Sequence, residues 1–206
     1  VMTGKPWDAR IATILIRPLR NSRVNPNHLT SLGLLLGLSG AAAYAVGRDP
    51  WFKWASILFI LSNLLDHADG ELARLTGKTS RWGHYYDLAS DACVQILLFI
   101  GIGYGLRNTI LGQWALPMGV VTGVSIATIF WLRMSIENRL GKAATEQPSF
   151  AGFEIQDVLY LLLPVTWLAL LVPFLTAAVI GAPAFALWTI VEYRKISSAR
   201  PLKGNP

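Results

Sequence analysis

The sequence predicts an all-α integral membrane protein, in which six transmembrane helices follow a short amphipathic helix at the membrane interface. Hydrophobic residues make up 53% of the 206 residues and charged residues only 15%, a composition typical of a membrane-embedded chain. The long apolar segments can each cross the hydrocarbon core as a helix. No internal repeat or change of composition divides the chain, so we expect one domain over residues 1–206.

The segment before the first span alternates apolar and basic residues. Trp7, Ile11 and Ile14 can share one face of a helix, with arginines off that face. We therefore expect an interfacial amphipathic helix within residues 1–24. A solvated lead-in to the first span is the alternative. At the other end, residues 196–206 are basic and are expected to form a flexible tail.

Apolar runs bounded by turn residues define the six expected spans. Pro173 is expected to lie in a minimal turn between the last two. In the first span, Gly33, Gly37 and Gly40 are small residues at a spacing that favours close helix packing. The six spans are predicted at residues 28–46, 51–75, 82–106, 110–140, 155–173 and 175–191.

The basic residues predict the orientation of the chain. Six spans place both termini on one side, and only Arg48, Lys53 and Arg107 of the eighteen basic residues lie on the other. The positive-inside rule then places the termini in the cytoplasm. Anionic lipid headgroups explain the net charge of +6 better than nucleic acid does, so we expect no nucleic-acid partner.

Four aspartates lie next to one connecting loop at the ends of two apolar segments. Asp66 and Asp69 share one face of the second predicted helix, and Asp87 and Asp91 share one face of the third. Four carboxylates this close repel one another strongly where water is scarce. A hard divalent cation such as Mg²⁺ or Mn²⁺ would allow them to remain ionised. A cation or proton transporter is the alternative use of aspartates inside a membrane.

The residues around these aspartates complete a longer pattern. Residues 66–91 read D-x-x-D-G-x-x-A-R, then eight residues, then G-x-x-x-D-x-x-x-D. This pattern resembles the signature of the CDP-alcohol phosphotransferases at all of its fixed positions. The resemblance implies that a CDP-linked alcohol donates its phosphoalcohol part to the hydroxyl of an acceptor, and that CMP leaves. The lipid could be on the CDP-alcohol, which would make the transferred part a phosphatidyl group, or on the acceptor.

The resemblance also implies roles for individual residues. Asp66, Asp69 and Asp87 would bind one or two divalent ions, Mg²⁺ or Mn²⁺. Asp91 would be the general base for the acceptor hydroxyl and also a metal ligand. Arg74 carries a forked donor suited to a diphosphate. The expected nucleotide and diphosphate contacts are Pro26, Asn27, Thr30, Asp69, Gly70, Ala73, Arg74, Thr79 and Gly83.

The acceptor is less well defined by the sequence. Arg133, Arg139 and Lys142 could form a cationic pocket for a phosphorylated acceptor such as glycerol phosphate or inositol phosphate. Topology and lipid headgroup binding explain these three residues equally well. Glu71 and His84 lie off the carboxylate faces and are expected to be peripheral polar groups.

The partners and location follow from the same resemblance. It implies CDP-diacylglycerol as the donor, a hydroxyl acceptor, and a homodimer packed through its membrane helices. Membrane lipids would surround the spans. We expect a bacterial or archaeal-type cell membrane, with the active site and both termini facing the cytoplasm.

Overall fold

The computed structural model of the chain describes residues 16, 18, 22, 24–140 and 160–199, with side chains in that part except at 137–140 and 199. All regular secondary structure in this part is helical, as predicted. Two short 3₁₀ turns, Leu106–Asn108 and Gly112–Trp114, precede the fourth helix. The helices are α1 (Pro26–Val46), α2 (Trp51–Thr76), α3 (Arg81–Gly105), α4 (Ala115–Leu140), α5 (Leu162–Trp167) and α6 (Leu171–Ala199).

Local signals fix the connection between α2 and α3. Gly77 ends α2 with a φ of 67°, a left-handed conformation that favours glycine. Ser80 begins α3, and its Oγ accepts a hydrogen bond from the backbone N–H of Gly83 at 2.9 Å. Only three residues therefore lie between the end cap of one helix and the first residue of the next. This short loop places the two halves of the aspartate pattern side by side.

Four helices in the described part are long and apolar enough to cross a membrane. Helix α2 is not among them, because Lys53, Asn63 and the two aspartates lower its hydropathy. Helix α5 has only six residues and is too short to span a bilayer. The described part therefore supports four of the six predicted spans, namely Pro26–Val46, Arg81–Asn108, Gly112–Ile136 and Leu171–Ser198.

The break before the last helix lies earlier than predicted. Ala169 has a positive φ of 58°, and α6 begins at Leu171 and continues through Pro173. The turn predicted at Pro173 is wrong, because a proline in the first turn of a helix interrupts no helical hydrogen bond. Helix α6 also continues to Ala199, into the predicted tail of residues 196–206.

Glycines bring the backbones of α1, α3 and α4 into direct contact. A Cβ atom at Gly37 would lie 2.5 Å from Val94 Cγ1 and 2.8 Å from Ser62 Oγ. A Cβ at Gly101 would overlap the backbone carbonyl of Ala41, and one at Gly119 would overlap that of Phe99. The close packing predicted for the small residues of the first span is confirmed, and it joins α1 to both α2 and α3.

The main core lies towards the end of the bundle where α1 and α3 finish, which we call the far end. Tyr44, Phe59 and Ile102 are fully buried there. The Tyr44 hydroxyl lies 2.8 Å from Thr166 Oγ1, which ties α1 to α5. Helix α4 packs on α3, and α6 packs mainly on α4.

A second, smaller core lies under the aspartates at the opposite end, which we call the site end. It consists of Ile16, Leu29, Ala68 and Leu72. Ile16 belongs to the predicted interfacial segment, and its side chain is 1% exposed. This residue therefore packs against α1 and α2, whereas most of the predicted interfacial helix lies outside the described residues.

Exposed tryptophans lie near both ends of the bundle. Trp51, Trp114 and Trp167 are exposed at the far end, and Trp82 is exposed at the site end beside the aspartates. Tryptophan side chains are enriched at the two water interfaces of a membrane. Their placement supports the integral membrane character of the chain.

Candidate active site

Helices α2 and α3 bring three of the four aspartates together. One carboxylate oxygen each from Asp66, Asp69 and Asp87 lies within 4.8 Å of the other two. The Asp69 side chain is buried, and Asp66 and Asp87 are half-buried. Oxygen donors in this arrangement fit a hard divalent cation, which would offset the mutual repulsion of the carboxylates. These three residues are the ones that would hold the metal.

Thr30 of α1 supports this group from a third helix. Its hydroxyl is buried and donates a hydrogen bond to Asp69 Oδ2. Thr30 was expected to contact the nucleotide, and the structure gives it a direct contact with a metal-ligand candidate. Hydrogen-bonded partners of this kind orient ligating carboxylates.

Asp91 lies beside the group rather than in it. With Asp66, Ser62 and Ser90 it lines a small internal cavity of about 10 Å³ between α1, α2 and α3. That space is roughly enough for one water molecule. The carboxyl groups of Asp91 and Asp66 are within hydrogen-bonding reach of each other. The four expected ligands therefore divide into three that meet at one point and a fourth that adjoins Asp66.

A larger cavity opens at the site end next to the three aspartates. Its volume of about 400 Å³ lies within the range of small-molecule sites, which is about 300–1,000 Å³. All nine residues expected to contact the nucleotide or its diphosphate line this cavity. The lining residues are Pro26, Asn27, Thr30, Asp69, Gly70, Ala73, Arg74, Lys78, Thr79, Ser80, Gly83, His84 and Asp87.

Three of the lining residues were expected neither at the nucleotide nor at the metal. Lys78 and Ser80 belong to the α2–α3 loop, and their position beside Thr79 was the signal that pointed to them. His84 was expected to be peripheral, but it lines the cavity because it follows Gly83 in the first turn of α3. A Cβ at Gly83 would lie 3.2 Å from Asn27 Oδ1. The glycine thus keeps this wall of the cavity open.

Arg74 reaches the cavity while bound to an acid of its own helix. Its Nη2 and Nε atoms lie 3.1 Å and 3.2 Å from Glu71 Oε2. The Arg74 side chain is 61% exposed and that of Glu71 only 4%. The expectation that Glu71 is peripheral is therefore wrong. Glu71 is buried, and Ala68 and Leu72 on the same part of α2 belong to the smaller core.

The candidate acceptor residues are only partly described. Arg133 is half-buried on α4, and its guanidinium carbon lies 5.7 Å from the ring centroid of Phe185 on α6. The side chain of Arg139 and the whole of Lys142 lie outside the described residues. The predicted cationic pocket thus stays a prediction.

The family model of the CDP-alcohol phosphatidyltransferases matches residues 23–193. This chain belongs to that family. The match extends far beyond residues 66–91, so it confirms the resemblance inferred from the aspartate pattern. Members of the CDP-alcohol phosphatidyltransferase family are transferases.

Curated relatives of the family share shorter segments with this chain. A segment of 85 residues is 40% identical to the CDP-diacylglycerol–glycerol-3-phosphate 3-phosphatidyltransferase of Cereibacter sphaeroides, covering 40% of this chain and 38% of that protein. A segment of 98 residues is 32% identical to the phosphatidylinositol phosphate synthase of Streptomyces avermitilis, covering 48% and 39%. The chain thus matches less than half the length of either relative.

Solved structures show the same fold over most of the chain. The phosphatidylinositol phosphate synthase of Mycobacterium tuberculosis with CDP-DAG bound has a TM-score of 0.59 and 19% identity, covering 92% of this chain and 90% of that one. The same protein in complex with manganese and citrate also has a TM-score of 0.59 and 19% identity, covering 91% and 86%. At this level of identity the likeness concerns the fold.

Proposed function

We propose that this protein transfers a phosphatidyl group from CDP-diacylglycerol to the hydroxyl of an acceptor alcohol, with release of CMP. One observation carries the proposal: Asp69 and Asp87 belong both to the three-carboxylate group and to the wall of the 400 Å³ cavity. A nucleotide diphosphate in that cavity would therefore lie against the metal ligands. Family membership supports the same reaction class.

Asp66, Asp69 and Asp87 are the proposed metal ligands, with Asp91 as a further ligand to a second ion. When bound, one or two Mg²⁺ or Mn²⁺ ions would neutralise charge on the diphosphate and orient it for in-line displacement. The manganese complex of the mycobacterial structure supports a divalent ion. Thr30 holds the Asp69 carboxylate in place for this role.

The cavity lining provides the proposed nucleotide contacts. Pro26, Asn27 and Gly83 would border the cytidine part. Arg74 and Lys78 carry the positive charges for the diphosphate. Gly70 and Ala73 leave room for the donor on the α2 side of the cavity.

Asp91 is the proposed general base. It would accept the proton of the acceptor hydroxyl while the acceptor oxygen forms a bond to the phosphorus of the phosphatidyl group. The bond between that phosphorus and the bridging oxygen breaks, and CMP leaves with the electron pair. The position of Asp91 beside Asp66, one helical turn beyond Asp87, supports a role next to the metal group.

A phosphorylated polar alcohol is the proposed acceptor, with Arg133, Arg139 and Lys142 as its candidate phosphate contacts. The names of two relatives include glycerol 3-phosphate and phosphatidylinositol phosphate. A serine phosphatidyltransferase of Mycobacterium bovis is also similar, at 29% identity over 73% of this chain and 46% of that one. Serine therefore belongs in the panel of acceptors to be tested.

The membrane arrangement is part of the proposal. The site end and both termini would face the cytoplasm, and two copies would pack through their membrane helices. The far-end position of Arg48, Lys53 and Arg107 supports this orientation.

CMP release by the purified protein tests the proposed function. The detergent-solubilised chain is incubated with CDP-diacylglycerol and, separately, glycerol 3-phosphate, inositol phosphate or serine. We expect CMP release with at least one acceptor, complete loss of activity after chelation with EDTA, and recovery with Mg²⁺ or Mn²⁺. Full activity after exhaustive chelation would contradict the metal role.

The same assay separates a transferase from the alternative, a cation or proton transporter. The comparisons give that alternative no support. A transferase needs no ion gradient, so turnover in detergent is expected. Ion flux in liposomes without nucleotide binding would favour the transporter.

A further inference from the structure

Glu71 is a buried acid that the proposed reaction does not use. Among the described acidic residues, only Asp69 and Glu71 are buried, each with 3% of its surface exposed. Asp69 has a place in the metal group, but Glu71 has none. Burial of a carboxylate is unfavourable unless cationic or hydrogen-bonding groups compensate the charge. The Arg74 guanidinium, three residues further along α2, supplies such compensation.

The geometry of this ion pair fixes one edge of the guanidinium. Nε of Arg74 donates a hydrogen bond to Glu71 Oε2 at 3.2 Å, and Nη2 lies 3.1 Å from the same oxygen, so one N–H of each nitrogen faces Glu71. A guanidinium carries five N–H donors in one plane. Two of the five are therefore used by Glu71, and the remaining three point away from that edge.

The Arg74 side chain lies at the cavity. Arg74 lines the cavity wall, and a Cβ atom at Gly70 would lie 3.9 Å from Arg74 Nη2. The guanidinium thus lies next to the position that a side chain at residue 70 would occupy. The Arg74 side chain is mostly exposed, whereas that of Glu71 is buried. The buried partner therefore sets the orientation of the exposed one.

We propose that Glu71 is a positioning residue for donor binding. It holds the Arg74 guanidinium in one orientation over Gly70, so that the donors left over face the diphosphate of the CDP-alcohol. This inference rests on the proposed function of the cavity. An arginine that is not held in this way must lose its rotamer freedom when the donor binds, and that loss weakens binding. Glu71 removes that cost before the donor arrives.

Donor affinity, rather than turnover, is the quantity that Glu71 should control. In Glu71→Gln the side chain keeps its shape but loses its charge. We expect the KM for CDP-diacylglycerol to rise by about 3- to 10-fold, the effect of one long side chain that is no longer immobilised, with kcat and Mn²⁺ affinity nearly unchanged. Glu71→Asp keeps the charge on a shorter side chain and should give a smaller rise in KM.

A second pair of variants separates positioning from a merely structural role. In an Arg74→Ala background, Glu71→Gln should raise the donor KM no further, because its effect passes through Arg74. Asp49→Asn is the control, since it removes the acid of another ion pair, in which Asp49 of the turn before α2 lies 3.6 Å from Lys53 Nζ at the far end. The control should leave the donor KM unchanged.

The outcomes distinguish this inference from the function on which it rests. A wild-type protein that releases no CMP with any acceptor would overturn both. An active wild type, together with a Glu71→Gln variant of unchanged donor KM, would overturn the positioning role alone. An equal rise in KM with and without Arg74 would also overturn it, because Glu71 would then act by another route.

Discussion

Thr30 shows at the level of one residue how the site is held together. It lies on α1 and lines the cavity, and its hydroxyl donates a hydrogen bond to Asp69 of α2. The arrangement of the three carboxylates of Asp66, Asp69 and Asp87 therefore depends on three helices, although the carboxylates come from only two. Asp91 has a different environment, the small cavity behind Asp66. This difference in placement predicts a difference in role.

Substitutions of Asp91 and of Asp69 should separate an effect on turnover from an effect on binding of the CDP-alcohol. Asp91→Asn keeps the side-chain shape but removes the proposed base, so turnover should fall by about 10²-fold or more. Metal-dependent binding of the CDP-alcohol should largely survive. Asp69→Asn should lose both, because Asp69 belongs to the metal group and to the cavity wall. Donor affinity is measured by calorimetry and turnover by CMP release.

Two results would contradict this division of roles. One is near wild-type turnover of Asp91→Asn. The other is a loss of donor binding in Asp91→Asn as large as that in Asp69→Asn.

Residue spacing predicted that the aspartates lie on one face of each helix, but it did not predict that their neighbour Glu71 is buried. The spacing of Asp66 and Asp69 places both on one side of α2, whatever the rest of the chain does, because helix periodicity is local. The burial of Glu71 depends on what covers the adjacent side of that helix. The smaller core that includes Ile16 and Leu72 lies on that part of α2. Such a contact between distant parts of the chain leaves no trace in local spacing.

At the level of helices, α1 is the element that positions the others. Its buried glycines let α2 and α3 approach from two sides, and Ser62 Oγ of α2 donates to the Gly33 carbonyl at 2.7 Å. The spacing of its small residues predicted the close packing of this helix. The sequence did not predict where α6 begins. A proline such as Pro173 is common both in the loop between two helices and in the first turn of a helix, so it does not distinguish the two.

Two glycine-to-alanine substitutions should have opposite effects on stability. Gly37→Ala places a Cβ atom against Val94 and Ser62, and overpacking of this kind costs about 1–3 kcal/mol. Gly181→Ala in α6 is the matched control, because no atom lies within 4 Å of the added Cβ. Replacing a glycine inside a helix without a clash is neutral or stabilises by up to about 1 kcal/mol.

Thermal unfolding of both variants in the same detergent tests this prediction. We expect a lower Tm for Gly37→Ala and an unchanged or higher Tm for Gly181→Ala. Equal Tm values would show that α1 can move away from α3 at little cost.

In the described part of the molecule, basic residues lie at both ends of the bundle. Arg48, Lys53 and Arg107 lie at the far end, and the Arg107 guanidinium caps α1 there through the Ala45 carbonyl at 3.3 Å. Arg74, Lys78 and Arg81 lie at the site end, around the α2–α3 loop. The sequence alone predicted which of these basic residues lie at which end, because that depends on the order of apolar and basic segments and on no packing detail.

Cysteine labelling in intact cells tests the proposed orientation. Cys93 is first replaced by serine, since it is exposed and would itself react. A membrane-impermeant thiol reagent should then label Thr109→Cys at the far end and leave Lys78→Cys at the site end unlabelled. Permeabilised cells should show labelling at both positions. The reverse pattern in intact cells would place the active site outside the cytoplasm.

The glycine contacts between α1, α3 and α4 also bear on how the protein moves in time. Where backbone meets backbone, no side chain can change rotamer to make room, so these helices should fluctuate as one rigid body. Helix α6 touches this body mainly through α4. Collective shifts of packed helices take microseconds to milliseconds. Any slow rearrangement of the described helices is therefore expected to involve α6, while the contacts among α1, α3 and α4 stay fixed.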